Sequence, residues 1–200
     1  MRLFDFLSSG NGYKVRLLLH LLGQPFDRVE LDIVAGATRT PEYLAKNRNG
    51  RIPLLELDDG RLLAESNAIL FYLAHGTEYL PAERWARAQV LQWMFFEQYS
   101  HEPNIATSRF WLHHLELTPE RRAALADKRR LGEAALGVME EHLGSRAYFV
   151  GERFSIADIA LYAYTHVADE GGFDLAAYPA VRRWLERVAA RPGHVPITAG

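Results

Sequence analysis

The chain has 200 residues, 48% hydrophobic and 24% charged, with only 15 Gly and 9 Pro; this is a globular composition, enough for one domain or two compact ones, and it excludes the disordered and fibrous classes. Cysteine is absent, which removes disulfides, cysteine-ligated zinc, iron–sulfur clusters and any protein thiol nucleophile. Lys and Arg number 23 against 25 Asp and Glu, and the two sides of residue 80 are equally balanced at 9 against 10 and 14 against 15, so neither half is a basic nucleic-acid module.

Residues Leu3–Leu7 are apolar apart from Asp5 and stop at the turn formers Ser8-Ser9-Gly10-Asn11-Gly12, which predicts a buried strand ending in a loop. From Tyr13 the period becomes helical. Val15, Leu18, Leu19 and Leu22 share one stripe, Lys14, Arg16 and His20 fall elsewhere, and Gly23 stands at the C-terminal cap. Val29, Leu31 and Ile33 then alternate with polar residues, the period of a strand. Thr40-Pro41-Glu42 reads as an N-cap, a proline at the first helical position and an acid at the positive helix end. Ile52–Leu57 and Arg61–Ala64 flank Asp58-Asp59-Gly60, a hairpin signal, and Ser66 is placed to cap an apolar helix running to about Ala74. The order β-α-β-α-β-β-α fills residues 1–76.

A linker over 77–82 leads into a second domain, 83–200, in which every periodic segment is helical. A long helix over Trp85–Trp111 is interrupted by Pro103, where a kink is expected because proline lacks an amide and conflicts with the carbonyl of Tyr99. Thr118-Pro119-Glu120 starts another helix reaching Leu143, and 155–168 and 178–190 complete a helical bundle. Ser155-Ile156-Ala157-Asp158 is a capping box, with Phe154 and Ile159 at the positions of a hydrophobic staple; Ser155 and Asp158 are therefore read as structural. The apolar runs at 68–74 and 90–96 are far short of the roughly 18 residues a spanning helix needs, and no signal peptide precedes the first strand. The expectation is a cytoplasmic protein without membrane or nucleic-acid partners.

Four segments in this order, Ser8–Val15, Asn49-Gly50-Arg51-Ile52-Pro53, Glu65-Ser66-Asn67-Ala68-Ile69 and Val150–Asp158, resemble the cytosolic glutathione S-transferases over essentially the whole chain. The subgroup is similar to bacterial enzymes of the Theta, Delta and Nu type, which use serine or threonine and asparagine near the first helix; the Beta and Omega types would need a cysteine. The resemblance implies a thioredoxin-like βαβ-α-ββα domain followed by an all-helical domain, a homodimer, and glutathione as co-substrate with no metal or nucleotide. Ser9, then Asn11, then Tyr13 are the candidates to donate a hydrogen bond to the glutathione sulfur, against the alternative that Ser9 and Asn11 only form a turn and cap. The peptide before Pro53 is expected to be cis, turning the backbone of Ile52 toward the cysteinyl group of glutathione. Ser66 and Glu65 would read the γ-glutamyl head group, and Arg51, or else Arg39, the glycyl carboxylate.

The electrophile site is expected along the stripe Phe95, Tyr99, Glu102, Ala106 and Arg109, with Tyr99 and Arg109 as the candidates to line it; the competing reading is core or dimer surface. His101, His113 and His114 are read as solvated rather than metal-binding. The expected activity is transfer of glutathione to an electrophilic small molecule, as in detoxification. The rivals are glutathione-dependent disulfide or peroxide reduction, and a non-catalytic glutathione- or ligand-binding protein on the same fold.

Overall fold

The computed structural model describes residues 1–199. The chain forms two compact units, one comprising Met1–His75 with the segment from Pro192 onward, the other Gly76–Arg191.

The first unit is built on strands β1 (Arg2–Asp5), β2 (Asp27–Glu30), β3 (Leu54–Glu56) and β4 (Leu62–Ala64), in the order β2-β1-β3-β4. β1 runs parallel to β2 and antiparallel to β3, and β3 pairs antiparallel with β4. Parallel β1 and β2 require a crossover, which α1 (Gly10–Leu21) supplies; α2 (Pro41–Lys46) and α3 (Ser66–Leu73) complete the unit. Side chains alternate across the sheet. Phe4 and Leu54, in register on β1 and β3, pack with Tyr43 of α2, while Asp5 turns to α1. The hairpin turn closes at Gly60, whose φ of 84° suits glycine. β2 stops at Glu30, short of the alternation expected through Ile33, because Asp32 Oδ1 accepts from the amides of Val34 and Ala35, both at 2.9 Å, and turns the chain.

α1 starts at Gly10, three residues before the predicted Tyr13, because Ser9 is its N-cap and accepts from the Gly12 amide. The helix also departs from its predicted one-sided burial: Lys14 and Arg16 are both 0% exposed. Arg16 Nε donates to Asp5 Oδ2 at 2.8 Å, Nη2 to the Leu7 carbonyl at 2.7 Å, and Nη1 to the carbonyls of Ile197, at 2.9 Å, and Ala199. The tail that supplies these acceptors thus groups with the first unit, where the sequence reading carried the helical domain through residue 200. Gly12 permits the approach of α1 to Asp5, since a Cβ there would lie 1.5 Å from Asp5 Oδ1.

The second unit consists of α4 (Arg84–Phe96), a π-helical segment (Glu97–His101), α5 (Glu102–His114), α6 (Pro119–Leu143), α7 (Ile156–Thr165) and α8 (Pro179–Ala189). The break expected at Pro103 takes the form of the π-helical turn immediately before it: the Glu102 amide donates to the Glu97 carbonyl, five residues back, in a stretch where Pro103 has no amide to continue an α-helical ladder. α7 is buried along its whole length. Its capping box is formed as expected, and Asp158 does more than close it: Oδ2 accepts from the Ser155 amide and hydroxyl at 2.9 and 3.1 Å, and Oδ1 from the Phe149 amide at 3.2 Å and Trp184 Nε1 at 3.0 Å. One carboxylate therefore ties the loop before α7, α7 itself and α8 together.

Replacing Asp158 by Ala strands the buried N–H donors of Phe149, Ser155 and Trp184, each costing about 1–3 kcal/mol. Urea denaturation of Asp158→Ala is expected to show a loss of at least about 3 kcal/mol. Burial also pushes the Asp158 carboxyl up to about 6, against the pull of its four donors, whereas an unfolded Asp titrates near 3.9. The folded state therefore holds this proton more tightly, and the stability it contributes is complete below about pH 4 and lost as pH rises through 6. Measured by urea denaturation, the stability of Asp158→Asn relative to wild type should rise by roughly 3 kcal/mol between pH 4 and 7; a constant difference contradicts the assignment.

Candidate active site

The loop between β1 and α1 and the start of α3 meet in the first unit, where α1 and α3 pack together. Ser9 caps α1 with its oxygen 3.4 Å from the Gly12 amide. Because the hydroxyl oxygen is the acceptor there, its own proton stays available for donation. Asn11 lies in the first turn of α1, and Ser66 is the first helical residue of α3, with its hydroxyl 3.2 Å from Asn11 Oδ1. Two helix N-termini, each with amides that have no partner within the helix, thus share one polar cluster, a setting that favours an anion.

Ser66 is not the N-cap the sequence predicts. That position belongs to Glu65, whose φ of 71° and ψ of 112° place a non-glycine residue in the left-handed half of backbone space, a strained conformation of the kind that clusters at ligand sites. Glu65 itself is exposed, with Oε1 3.5 Å from Asn49 Nδ2. Arg39 folds across the turn at Asn49-Gly50, donating to the Asn49 carbonyl at 3.2 Å. Arg51 is exposed, and its carbonyl accepts from Tyr43 Oη at 2.7 Å and Asn47 Nδ2 at 2.9 Å. Burial pushes the Tyr43 phenol up to about 12, so it remains the donor at neutral pH. These bonds hold the segment leading into Ile52, and the Ile52–Pro53 peptide is cis, as expected.

Tyr13 does not present its hydroxyl to this cluster. Its Oη donates to the Val195 carbonyl at 2.7 Å and lies 3.2 Å from His194 Nε2, so the phenol serves to hold the tail. The residue that sequence reasoning missed is Lys14, whose Nζ donates to Asn11 Oδ1 at 2.8 Å and lies 3.5 Å from Ser66 Oγ. The available signal was a lysine flanked by Tyr13 and Val15, three residues after a candidate site asparagine.

In the second unit the predicted stripe does not hold together. The π-helical turn rotates α5 relative to α4, leaving Phe95 and Tyr99 62% and 83% exposed while Ala106 and Arg109 are buried at 7% and 8%. Arg109 Nε is engaged by Glu170 Oε2 at 2.6 Å, a structural ion pair. His101, expected in solvent, is fully buried, with Nε2 2.9 Å from Thr165 Oγ1. His113 Nε2 lies 3.1 Å from the Glu170 carbonyl, and burial lowers the pKa of His114. Among the described residues no three His, Asp or Glu side chains form a group able to hold a metal ion.

Residues 1–75 match the family model for the glutathione S-transferase N-terminal domain, and residues 91–192 that for the C-terminal domain. The chain belongs to the glutathione S-transferase family. The disulfide-bond oxidoreductase YfcG of Escherichia coli K12 is 32% identical over 196 residues, covering 94% of this chain and 89% of that protein. A solved glutathione S-transferase from Pseudomonas fluorescens Pf-5 is 54% identical with a TM-score of 0.97, covering 99% of this chain and 98% of its own. A Burkholderia graminis glutathione transferase, solved with two glutathione molecules per subunit, is 27% identical with a TM-score of 0.83, covering 96% and 84%.

With its hydroxyl committed to Val195, Tyr13 is separable from the polar cluster. Tyr13→Phe should lower stability, measured by urea denaturation, by about 1 kcal/mol, the worth of an ordinary hydrogen bond.

Proposed function

We propose that this glutathione S-transferase family protein binds glutathione in its first unit, holds it as the thiolate and transfers it to electrophilic small molecules. The observation that carries the reading is the meeting of Ser9, Asn11 and Ser66 at two helix N-termini. An unperturbed thiol has a pKa near 8.5 and is only a few per cent ionised at neutral pH. Lowering it by about two units requires roughly 2.7 kcal/mol of preferential stabilisation of the thiolate, within the range of one or two hydrogen bonds to an anion supplemented by helix termini.

In this reading Ser9 and Asn11 donate to the sulfur. The α3 amides take the γ-glutamyl carboxylate, joined by the Ser66 hydroxyl once it turns from Asn11 Oδ1, Glu65 takes the ammonium beside it, and Arg51 the glycyl carboxylate, with Arg39 held against the neighbouring turn. Ile52, just ahead of β3 and next to Pro53, would pair its backbone with the cysteinyl peptide as an added strand. In the transfer step the thiolate sulfur forms a bond to the electrophilic carbon, and the leaving group departs with the bonding electron pair. The resemblance to cytosolic enzymes extends the proposal to a cytoplasmic homodimer acting in detoxification.

A second reading, glutathione-dependent disulfide reduction, is favoured by the likeness to YfcG and to a transferase that carries two glutathione molecules per subunit. There the thiolate attacks one sulfur of the disulfide and the other leaves as a thiolate; a second glutathione thiolate then attacks the glutathione sulfur of the mixed disulfide, forming glutathione disulfide and expelling the substrate's second sulfur as a thiolate.

Calorimetry tests the shared premise: a binding isotherm for glutathione is expected, and none would leave both reactions without a basis. The same preparation is then assayed with a chlorodinitrobenzene-type electrophile and with a small dialkyl disulfide. Faster transfer supports the first reading, and a much faster disulfide reaction reverses the order. Ser9→Ala should raise the apparent pKa of the bound thiol by about one unit, a loss of about 1.4 kcal/mol; a shift confined to Asn11→Ala would make asparagine the principal donor.

A further inference from the structure

The orientation of the Asn11 side chain is fixed by a residue that no sequence motif singled out. A carboxamide has an acceptor end and a donor end that are nearly identical in shape, so its direction is set by its surroundings. Oδ1 of Asn11 receives Lys14 Nζ at 2.8 Å and lies 3.2 Å from Ser66 Oγ, and these two groups lie 3.5 Å from each other. An ammonium has three donors and no acceptor. It can face only the carbonyl end of the amide, because the reverse orientation would set N–H against N–H. Lys14 is fully buried and Ser66 nearly so, so water does not compete freely for these positions, and in such surroundings a misdirected polar group is costly. Lys14 and Asn11 are three residues apart in one helix, the spacing that brings side chains together on a face.

We infer that Lys14 is a positioning residue for glutathione chemistry: it pins the carbonyl end of Asn11 so that the amide N–H donors face away from Lys14 and Ser66, and it is this end of the amide that the glutathione sulfur meets on binding. The inference rests on the proposed binding of glutathione. Donation from Lys14 also polarises the amide, which strengthens donation from its other end. The Lys14–Asn11–Ser66 chain further joins the thiol-activating loop to the start of α3, so the sulfur site and the γ-glutamyl site are one hydrogen-bonded unit although their residues are 55 positions apart in sequence.

The test measures the apparent pKa of bound glutathione thiol, by ultraviolet thiolate absorbance and by the pH profile of kcat/KM. Lys14→Met should raise it by about one unit, a tenfold loss of thiolate below that pKa, while affinity for S-methylglutathione, which has no ionisable thiol, changes less than about threefold. Because Lys14 acts through Asn11, Lys14→Met should shift the pKa no further in an Asn11→Ala background. Lys14→Gln, which retains a neutral donor, should recover most of the shift; if the methionine variant fails to fold, the Asn11 resonances of the wild-type protein carry the test.

An unchanged pKa in Lys14→Met overturns the inference, as does an equal shift with Asn11 absent. A fall in S-methylglutathione affinity without a change in pH profile would instead make Lys14 part of the carboxylate site. A measurement without glutathione separates this inference from the functional reading. The side-chain amide resonances of Asn11 in the ligand-free protein should be displaced from solvent-like values and return toward them in Lys14→Met, whichever reaction the protein performs. Solvent-like resonances in the wild type would overturn the pinning directly.

Discussion

Arg16 and Asp5 are both removed from water in the first unit, at a cost of several kcal/mol per ion that their mutual attraction offsets only when the remaining donors and acceptors are satisfied. The guanidinium goes far toward that condition by bonding Asp5 Oδ2 and the carbonyls of Leu7, Ile197 and Ala199, while Asp5 Oδ1 is buried with no hydrogen-bond partner among the described residues. Burial still dominates, pushing Asp5 up to about 6 and Arg16 below its ordinary value. The pair is better understood as a geometric constraint than as a source of stability. It sets the end of β1, the course of the loop through Leu7, the seat of the tail and the depth of α1, where Gly12 admits Asp5. Removing either partner would leave the other charged and buried, so the arrangement is retained as a whole.

The polar cluster is built on top of that constraint. Ser9 comes directly after the loop that Arg16 holds at Leu7, and Asn11 and Lys14 ride on the helix whose position Asp5 fixes. Ser66 arrives from a helix that packs on α1, preceded by Glu65 in a conformation most residues avoid. Strain at Glu65 and burial at Lys14 are both local expenses, and both lie at the point where two helix N-termini come together. The stabilising features lie elsewhere: the apolar layer of Phe4, Tyr43 and Leu54 beneath the sheet, and in the second unit the Asp158 hub with Trp184 and Phe149.

Features encoded within a few residues were legible from sequence. The capping box at Ser155–Asp158, the Thr40-Pro41 helix start, the Asp-Gly hairpin and the helix from Pro119 to Leu143 each depend on neighbours in the chain, and each stands where its local chemistry put it. The pairing of distant polar groups could not be read. Lys14 and Arg16 look like the solvent side of an amphipathic helix until Ser66, Asp5 and the tail carbonyls are brought to them, across 52, 11 and more than 180 residues. His101 was misread for the same reason, since its partner Thr165 is 64 residues away. Buried polar residues follow no apolar period, and a single sequence does not reveal which of them will be satisfied.

The π-helical segment has a consequence for how this protein can change. Over that stretch the helix carries about one residue more than an α-helix would use, equivalent to about 100° of rotation for every residue beyond it. The burial of Ala106 and Arg109 therefore depends on residue count as much as on residue type. A deletion within 97–101 would preserve nearly every side chain and yet swing Arg109 away from Glu170, whereas most substitutions there would leave the pair intact. Length is the quantity that such a helix constrains. Two relatives with similar composition but different spacing between Glu97 and Pro103 would bury different faces of α5.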